Sequence, residues 1–107
     1  MSADFKRNHL DLLILSVLER GSRHGYAVIA TLRERSGGLF DLAEGTVYPT
    51  LHRLERSGLI ASEWERASGR KRRLYTLTRS GRAALARQTA QWRRWSGGLN
   101  MVLERSR

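Results

Sequence analysis

The chain has 107 residues, 40% of them hydrophobic and 28% charged, which predicts one folded domain and excludes a disordered chain. Twenty Lys and Arg residues against ten Asp and Glu residues give a net charge of +10, which attracts polyanions, although only two of the twenty are lysines and a general preference for arginine explains part of the excess. The absence of cysteine excludes disulfide bonds, thiolate catalysis and cysteine metal sites.

The first predicted element is a helix from about Asn8 to Arg20, expected to stop at Gly21. Its apolar residues have the i, i+3, i+4 spacing of one helix face, and two further leucines indicate burial on more than one side. They are Leu10, Leu13, Ile14, Val17 and Leu18, with Leu12 and Leu15 off the face. Residues 1–7 lack a signal-peptide pattern, and no apolar run approaches the ~18 residues of a membrane span, so we expect a cytoplasmic protein without membrane contacts.

A second helix is predicted from about His24 to Arg35, and the run Ser36-Gly37-Gly38 is expected to end it. The spacing of the apolar residues predicts which side of this helix faces the core. That side consists of Tyr26, Ile29 and Ala30, with Val28 and Leu32 beside them.

The third predicted helix begins near Ala43–Gly45 and ends near Ser57-Gly58. A narrow apolar stripe is formed by Val47, Leu51 and Leu54. Pro49 lacks an N–H for the carbonyl four residues back, so we expect a slight kink or a loosened first turn. The other faces carry Thr46, Tyr48, Thr50, His52, Arg53 and Arg56.

A β-hairpin is predicted next, with short strands at Leu59–Glu65 and Arg73–Leu77 and a polar loop at 66–72. Trp64, in the first of these strands, is expected in the core. Thr78 is a good N-cap for a last helix that starts at about Arg79 and extends to about Glu104.

The order helix, helix, helix, strand, strand, helix predicts an α+β fold that is mostly α. It is a winged helix-turn-helix with three helices, a two-stranded β-wing and a C-terminal dimerisation helix. We expect residues 1–78 to form the DNA-binding domain and residues 79–107 the dimerisation helix, within one structural unit.

The third helix, residues 44–57, has the properties of a helix that enters the major groove of DNA. The groove admits one α-helix, which needs an apolar face for its own core and short polar or basic side chains opposite. The candidate DNA-binding residues are Thr46, Tyr48, Pro49, Thr50, His52 and Arg53. The alternative is that these residues are ordinary solvated positions on a surface helix, a possibility that is strongest for Arg56 and His52.

The hairpin loop supplies a second candidate contact, the wing at 66–73. Gly69 is followed by Arg70-Lys71-Arg72-Arg73, four like charges that repel one another and do not stabilise the fold. They are favourable against a phosphate backbone or a minor groove. A basic run by itself is weak support because solvated loops also contain such runs, but its place after a recognition-type helix strengthens the prediction.

Three segments resemble the PadR family of transcriptional regulators. They are His24–Val28 (HGYAV), Glu44–Ile60 (EGTVYPTLHRLERSGLI) and Gly69–Gly81 (GRKRRLYTLTRSG). The resemblance extends over about residues 9 to 95 and implies a homodimeric regulator of the short form, most often a repressor, that binds a palindromic operator. It also implies that Thr46, Tyr48 and Pro49 lie at the DNA-facing start of the recognition helix and that the basic residues after Gly69 lie in the wing.

The chain departs from the family pattern in three features. Ala43 and Glu44 stand where the family usually has a capping residue and a proline, and the missing cap costs about 1 kcal/mol unless Asp41 serves instead. Gly97-Gly98 interrupts the last helix, where two glycines cost about 2 kcal/mol relative to alanine.

The last helix has an apolar seam that is expected to pack on the first helix and on a second copy of the chain. The predicted dimer interface consists of Leu10, Leu85, Gln88, Trp92, Trp95, Leu99 and Val102. Some members of the family bind flat aromatic compounds between subunits, so Trp92 and Trp95 are also a hypothetical site for a small aromatic effector. The alternative is that the two rings only pack in the interface.

No enzyme, cofactor or metal site is predicted. His9, His24 and His52 are spread over separate helices, and no phosphate-binding glycine loop or nucleophile elbow is present. The main alternative to a sequence-specific DNA-binding regulator is a winged-helix module that binds protein, and the next is a non-specific nucleoid-type protein.

Overall fold

The protein is described by a computed structural model that covers residues 3–105. Its elements in chain order are α1 (Ala3–Leu18), β1 (Arg23–His24), α2 (Gly25–Arg35), α3 (Glu44–Arg56), β2 (Ile60–Ala67), β3 (Arg70–Leu77) and α4 (Arg79–Arg105). The strands form one antiparallel sheet in the order β1-β3-β2. The predicted winged helix-turn-helix is confirmed, and the short strand β1, which was not predicted, adds a third strand to the wing sheet.

The core lies where the four helices meet the root of the hairpin. As predicted, α1 is buried on more than one side, since Leu15 is as inaccessible as Ile14. The buried apolar residues are Ile14, Leu15, Val17, Leu18, Val28, Leu32, Val47, Leu51, Leu54, Ile60, Tyr75, Leu77, Ala84 and Leu85. Within residues 3–105, no helix combines the length and the apolarity needed to cross a membrane.

The buried side of α2 differs from the predicted one. Val28 and Leu32, an i, i+4 pair, face the core, whereas Ala30 is exposed and Tyr26 is 49% exposed. The Tyr26 ring stacks on the His24 ring instead, with centroids 5.5 Å apart, because the chain enters α2 directly from the edge strand β1. The prediction that Tyr26 and Ala30 face the core was therefore wrong.

The wing hairpin is longer and tighter than predicted. β2 and β3 pair over eight residues each, and only Ser68 and Gly69 separate them. Both residues have positive φ angles, 53° and 77°, as in the two-residue turn that matches the twist of paired strands. The seven-residue loop was therefore a wrong prediction, and the four basic residues after Gly69 belong to a strand, so their side chains alternate between its two faces.

The entry to α4 is fixed by Thr78, as predicted. Its hydroxyl accepts a hydrogen bond from the Gly81 N–H at 3.0 Å and donates to the Gly58 carbonyl at 2.7 Å. The helix then continues through Gly97 and Gly98 without a break. At 27 residues it is about 40 Å long, and it extends the molecule to 58 Å in its longest dimension.

Candidate nucleic-acid interface

α3 presents one continuous exposed face. Val47, Leu51 and Leu54 are fully buried, as the apolar stripe predicts. The positions on the opposite side are exposed: Thr46, Pro49, His52 and Arg56 follow one another at intervals of three or four residues, and Gly45 lies next to Thr46. This surface has small side chains at its N-terminal end and basic ones towards its C-terminal end, which allows close approach of a polyanion.

The start of α3 has no side-chain cap. Ala43 is the N-cap residue, and its carbonyl accepts hydrogen bonds from the N–H groups of Thr46 and Val47. Asp41 does not replace the missing cap, and the acidic Glu44 occupies the first turn, where a negative charge suits the helix N-terminus. Among the described residues, the first N–H groups of α3 thus have no side-chain cap next to the exposed face.

Thr50 does not belong to this face, although it was predicted to bind DNA. Its side chain is on the buried side with Val47 and Leu54, and the residue is 6% exposed. Its hydroxyl donates to the Thr46 carbonyl at 2.9 Å, which satisfies it within the helix. Thr50 lies three residues after Val47 and four before Leu54, which places it on the core side of a helix.

Arg53 also departs from its predicted role. Its guanidinium makes a two-pronged ion pair with the Asp11 carboxylate of α1, in which Nη1 lies 3.2 Å from Oδ2 and Nη2 donates to Oδ1. The two side chains are 23% and 11% exposed. Arg53 therefore joins the recognition helix to α1 and is not a free cation for a base edge. This role of Asp11 was not predicted, because the sequence does not show which basic residue will pair with a single acidic residue in an apolar helix.

Tyr48 is half-buried against the N-terminus of α2. A Cβ atom at Gly25 would lie 2.5 Å from Cε1 of Tyr48 and 2.8 Å from its hydroxyl oxygen, so the ring covers the Gly25 backbone directly. The small size of Gly25 thus lets the Tyr48 ring pack on the start of α2, a role that was not predicted. The segment HGYAV, in which Gly25 stands, was the sequence feature that could have pointed to this role.

The four basic residues of β3 divide into two pairs. Arg70 and Lys71, next to the turn, are exposed, whereas Arg72 and Arg73 are partly buried. The Arg72 guanidinium lies 4.5 Å above the Tyr26 ring of α2. Among the described residues, the hydrogen bonds, ion pairs and ring contacts that link this basic run to the helices involve Arg72 and Arg73, and none involves Arg70 or Lys71.

Arg73 holds β3 to β2 and α3. Its Nε donates to the Ser62 hydroxyl at 2.9 Å, its Nη2 lies 3.7 Å from a Glu55 carboxylate oxygen, and its guanidinium lies 4.7 Å from the Trp64 ring centre. Ser62 in turn donates to the same Glu55 carboxylate at 2.6 Å. Trp64, which was predicted to be a core residue, is 61% exposed, because its side of the strand extends beyond the core.

The wing and the helix N-termini enclose a cleft of about 480 Å³. Aromatic rings and cations line it together: His24, Tyr26, Tyr48, His52, Trp64, Arg70, Lys71, Arg72, Arg73 and Tyr75, with Gly25 and the carboxylate of Glu44. Gly69 forms the turn at the tip of the wing. The structure therefore brings the predicted recognition helix and wing together around one basic concave surface.

A second cleft, of about 430 Å³, lies between α1 and α4. The rings of Trp92 and Trp95 stack with centroids 5.5 Å apart, and His9 meets Trp92 edge-on at 5.0 Å. Arg87 and Gln88 also line it, and the buried Oε1 of Gln88 has no hydrogen-bond partner among the described residues.

The residues predicted for a dimer interface are not equivalent in the single chain. Leu85 is 5% exposed and belongs to the core, so its side chain is already covered before any second copy binds. Leu10 and Gln88 are half-buried. The remaining four, Trp92, Trp95, Leu99 and Val102, are 39–63% exposed along α4.

Comparison with known proteins identifies the family. The model of the transcriptional regulator PadR-like family matches residues 14–87, more than half of the chain. The chain is similar to the transcriptional regulator Rv3488 of Mycobacterium tuberculosis, with 48% identity over 64 residues that make up 60% of this chain and 47% of that protein.

Two solved structures are also similar. One is a PadR family transcription regulator from Clostridium difficile, with a TM-score of 0.80, 36% identity, and coverage of 89% of this chain and 98% of the other. The second is Bacillus subtilis PadR in complex with operator DNA, with a TM-score of 0.68, 28% identity, and coverage of 73% and 45%. The chain thus spans about half the length of the M. tuberculosis and B. subtilis proteins. On its fold, its family match and these likenesses, the chain belongs to the PadR-like family of transcriptional regulators, which are not enzymes.

Proposed function

We propose that the protein is a sequence-specific transcriptional repressor that binds a palindromic operator as a homodimer. Residues 1–78 form the DNA-binding part, and residues 79–107, which include α4, form the dimerisation part. The observation that carries the proposal is the exposed face of α3 beside the exposed cations of the wing, around a single basic cleft. The similarity to B. subtilis PadR, whose structure contains operator DNA, supports it.

In this proposal, the exposed face of α3 lies in the major groove. Thr46 and Pro49 are small enough for the helix to approach the bases, and His52 projects from the same face. Tyr48 contributes its hydroxyl to a phosphate. The cations Arg70 and Lys71 lie on the backbone or in the adjacent minor groove, where arginine is favoured.

Binding to the chain's own upstream DNA tests the proposal. Fluorescence anisotropy at about 150 mM salt compares that fragment with a shuffled duplex of the same length. Specific operator binding predicts a preference of about 10³-fold or more for the native fragment. Equal affinity for both fragments would favour a non-specific nucleoid-type protein, and no affinity for either would favour a protein-binding module.

Substitution of the wing cations tests the proposed phosphate contacts. Arg70→Ala with Lys71→Ala is expected to weaken binding and to flatten the salt dependence by about one unit for each phosphate that the wing no longer neutralises. The matched control is Arg93→Ala with Arg105→Ala, which removes two exposed cations of α4 far from the wing. Equal effects of the two double variants would show that net charge alone drives binding.

We further propose that the cleft between α1 and α4 binds a planar aromatic effector. The support is the stacked pair of Trp92 and Trp95, both accessible from a cleft large enough for a small ring system. Tryptophan fluorescence with planar aromatic dyes tests this, and Trp64→Phe removes the exposed wing tryptophan that would otherwise obscure the signal. No quenching by a diverse dye panel at micromolar concentrations would leave Trp92 and Trp95 as interface packing only.

A further inference from the structure

The contacts of the two inner basic residues of β3 differ from those of the two outer ones. Arg70 and Lys71 flank the turn and are exposed, whereas Arg72 and Arg73 are partly buried and each rests on an aromatic ring. Because adjacent residues of a strand point to opposite faces, Arg72 and Arg73 leave β3 in opposite directions. The base of the wing is thus held from both sides.

On one face, Arg72 connects the wing to α2. Its guanidinium lies 4.5 Å above the Tyr26 ring, and Tyr26 stacks on His24. Glu65, the cross-strand partner of Arg72, approaches His24 Nε2 at 3.3 Å. These four side chains join both strands of the wing to the first turn of α2.

On the other face, Arg73 connects the wing to the recognition helix. Glu55 of α3 accepts a hydrogen bond from Ser62 of β2 at 2.6 Å, and Ser62 accepts one from Arg73 of β3 at 2.9 Å. Arg73 also lies 3.7 Å from Glu55 and packs on Trp64. A guanidinium is needed here because its planar fork donates along two directions while its face covers a ring, which a lysine ammonium cannot do.

Resting on the proposed DNA-binding function, we propose that Arg72 and Arg73 are positioning residues and not DNA contacts. They set the angle between the wing and α3, and Arg70 and Lys71 alone supply the phosphate contacts of the basic run. The single basic cluster of the sequence is thus two functional pairs. Operator affinity then depends on Arg73 through geometry, since the wing and α3 reach the DNA together only when the angle between them is fixed.

The test compares Arg73→Lys, which keeps the charge, with Lys71→Gln, which removes an exposed one. Arg73→Lys is expected to lower affinity for the upstream fragment by about tenfold or more, the scale of removing one charge-assisted hydrogen bond. Affinity for a shuffled duplex and the salt slope stay as in the unaltered protein. Lys71→Gln lowers affinity for both duplexes and reduces the slope by about one. Glu55→Gln removes the charged acceptor on α3 and is expected to behave as Arg73→Lys does.

A readout without DNA separates this proposal from the DNA-binding function itself. In a background with Trp92→Phe and Trp95→Phe, Trp64 is the remaining tryptophan and lies against Arg73. Arg73→Lys is expected to raise the acrylamide quenching of Trp64 and to shorten its rotational correlation time, while Lys71→Gln leaves both unchanged. Circular dichroism melting of each variant shows that it is folded.

The outcomes are distinguishable. If Arg73→Lys reduces the salt slope as Lys71→Gln does, or leaves operator affinity and Trp64 quenching as they are in the parent protein, Arg73 is not a positioning residue. If the unaltered protein binds no DNA, the proposed function fails, and the Trp64 measurements alone decide whether Arg73 fixes the wing.

Discussion

At the scale of single residues, the recognition helix depends on one partly buried ion pair. Arg53 of α3 and Asp11 of α1 satisfy each other in a two-pronged arrangement with little solvent access. Replacing one member leaves the other charge in a poorly solvated position, which costs more than the net value of the pair. The sequence suggested a DNA contact for Arg53, and the structure makes it part of the support of the helix.

Asp11→Ala is therefore expected to destabilise the fold by about 2 kcal/mol, below the range for fully buried pairs because both side chains retain some solvent access. Urea unfolding followed by circular dichroism measures the change. The double variant Asp11→Ala with Arg53→Met, which removes both charges, should recover part of the loss. A double variant less stable than Asp11→Ala alone would contradict this account.

The raised pKa of the buried Tyr75 hydroxyl leads us to expect a loss of stability at alkaline pH. Burial raises the pKa of its hydroxyl above the ordinary 10.0, and the Glu55 carboxylate adds to the rise while Arg73 opposes it. Above a pH of about 10 the unfolded chain releases this proton, whereas the native protein retains it. The free energy of unfolding therefore falls as the pH rises towards the folded pKa. Well below a pH of about 10 both states keep the proton, so Tyr75 contributes no pH dependence there.

Tyr75→Phe is accordingly expected to flatten the alkaline fall in stability. Urea midpoints at about pH 8 and about pH 11 measure it, one value on each side of the unfolded pKa. Tyr26→Phe, which alters a half-exposed ring, serves as the control. Identical alkaline slopes for Tyr75→Phe and the unaltered protein would exclude a contribution from Tyr75.

At the scale of elements, the sequence pattern predicted the existence and order of the long helices and missed how α2 faces its neighbours. The stripe of Val47, Leu51 and Leu54 fixes the buried side of α3 because its spacing has one helical solution. The Tyr26 side of α2 could not be predicted, since an aromatic ring fits a core as well as it fits a guanidinium from a strand distant in the chain.

The hairpin shows why a loop could not be separated from a strand by composition. Residues 66–72 are polar and basic, a composition that favours a loop, yet all but Ser68 and Gly69 belong to paired strands. Cross-strand partners stabilise these polar positions, for example Glu65 opposite Arg72, and such pairs depend on the register. The register could not be predicted from the sequence, because Ser-Gly is not one of the residue pairs that most strongly indicate a two-residue hairpin turn.

Two glycines of α4 should respond to alanine in opposite directions. A Cβ atom at Gly81 would lie 2.0 Å from the Leu59 carbonyl oxygen, so Gly81→Ala is expected to destabilise the fold by about 3 kcal/mol. At Gly97 the added carbon would meet no atom within 4 Å among the described residues, apart from its chain neighbours and the nearby helix backbone, and Gly97→Ala is expected to stabilise the helix by about 0.5–1 kcal/mol. Thermal melting of the two variants measures both effects, and a stable Gly81→Ala would show that α4 can shift away from Leu59.

At the scale of the whole molecule, the two clefts lie on different sets of elements. The basic cleft is formed by the wing with α2 and α3, whereas the aromatic cleft is formed by α1 and α4. Beyond the aromatic cleft, α4 continues with apolar side chains that a single chain leaves exposed, among them Leu99, Met101 and Leu103. Leu99, Val102 and Leu103 have the i, i+3, i+4 spacing of one helix face, and exposed apolar side chains on one face favour association with another protein surface.

Leu99→Glu is expected to convert the proposed dimer into a monomer, because it places a carboxylate in the apolar seam of α4. Sedimentation velocity at several protein concentrations measures the change in mass. Asn100→Glu adds the same charge at an exposed position outside the apolar set and should leave the mass unchanged. If Leu99→Glu still sediments with the mass of a dimer, the interface does not include Leu99.

The helix α1 joins two parts of the molecule that the chain otherwise separates. Its His9 and Leu12 line the aromatic cleft. Asp11, between them in sequence, forms the ion pair with Arg53 of α3. α1 therefore contacts both the aromatic cleft and α3. If the proposed effector binds in this cleft, it touches the same helix that holds Arg53 of α3, so ligand binding and the placement of α3 share one structural element.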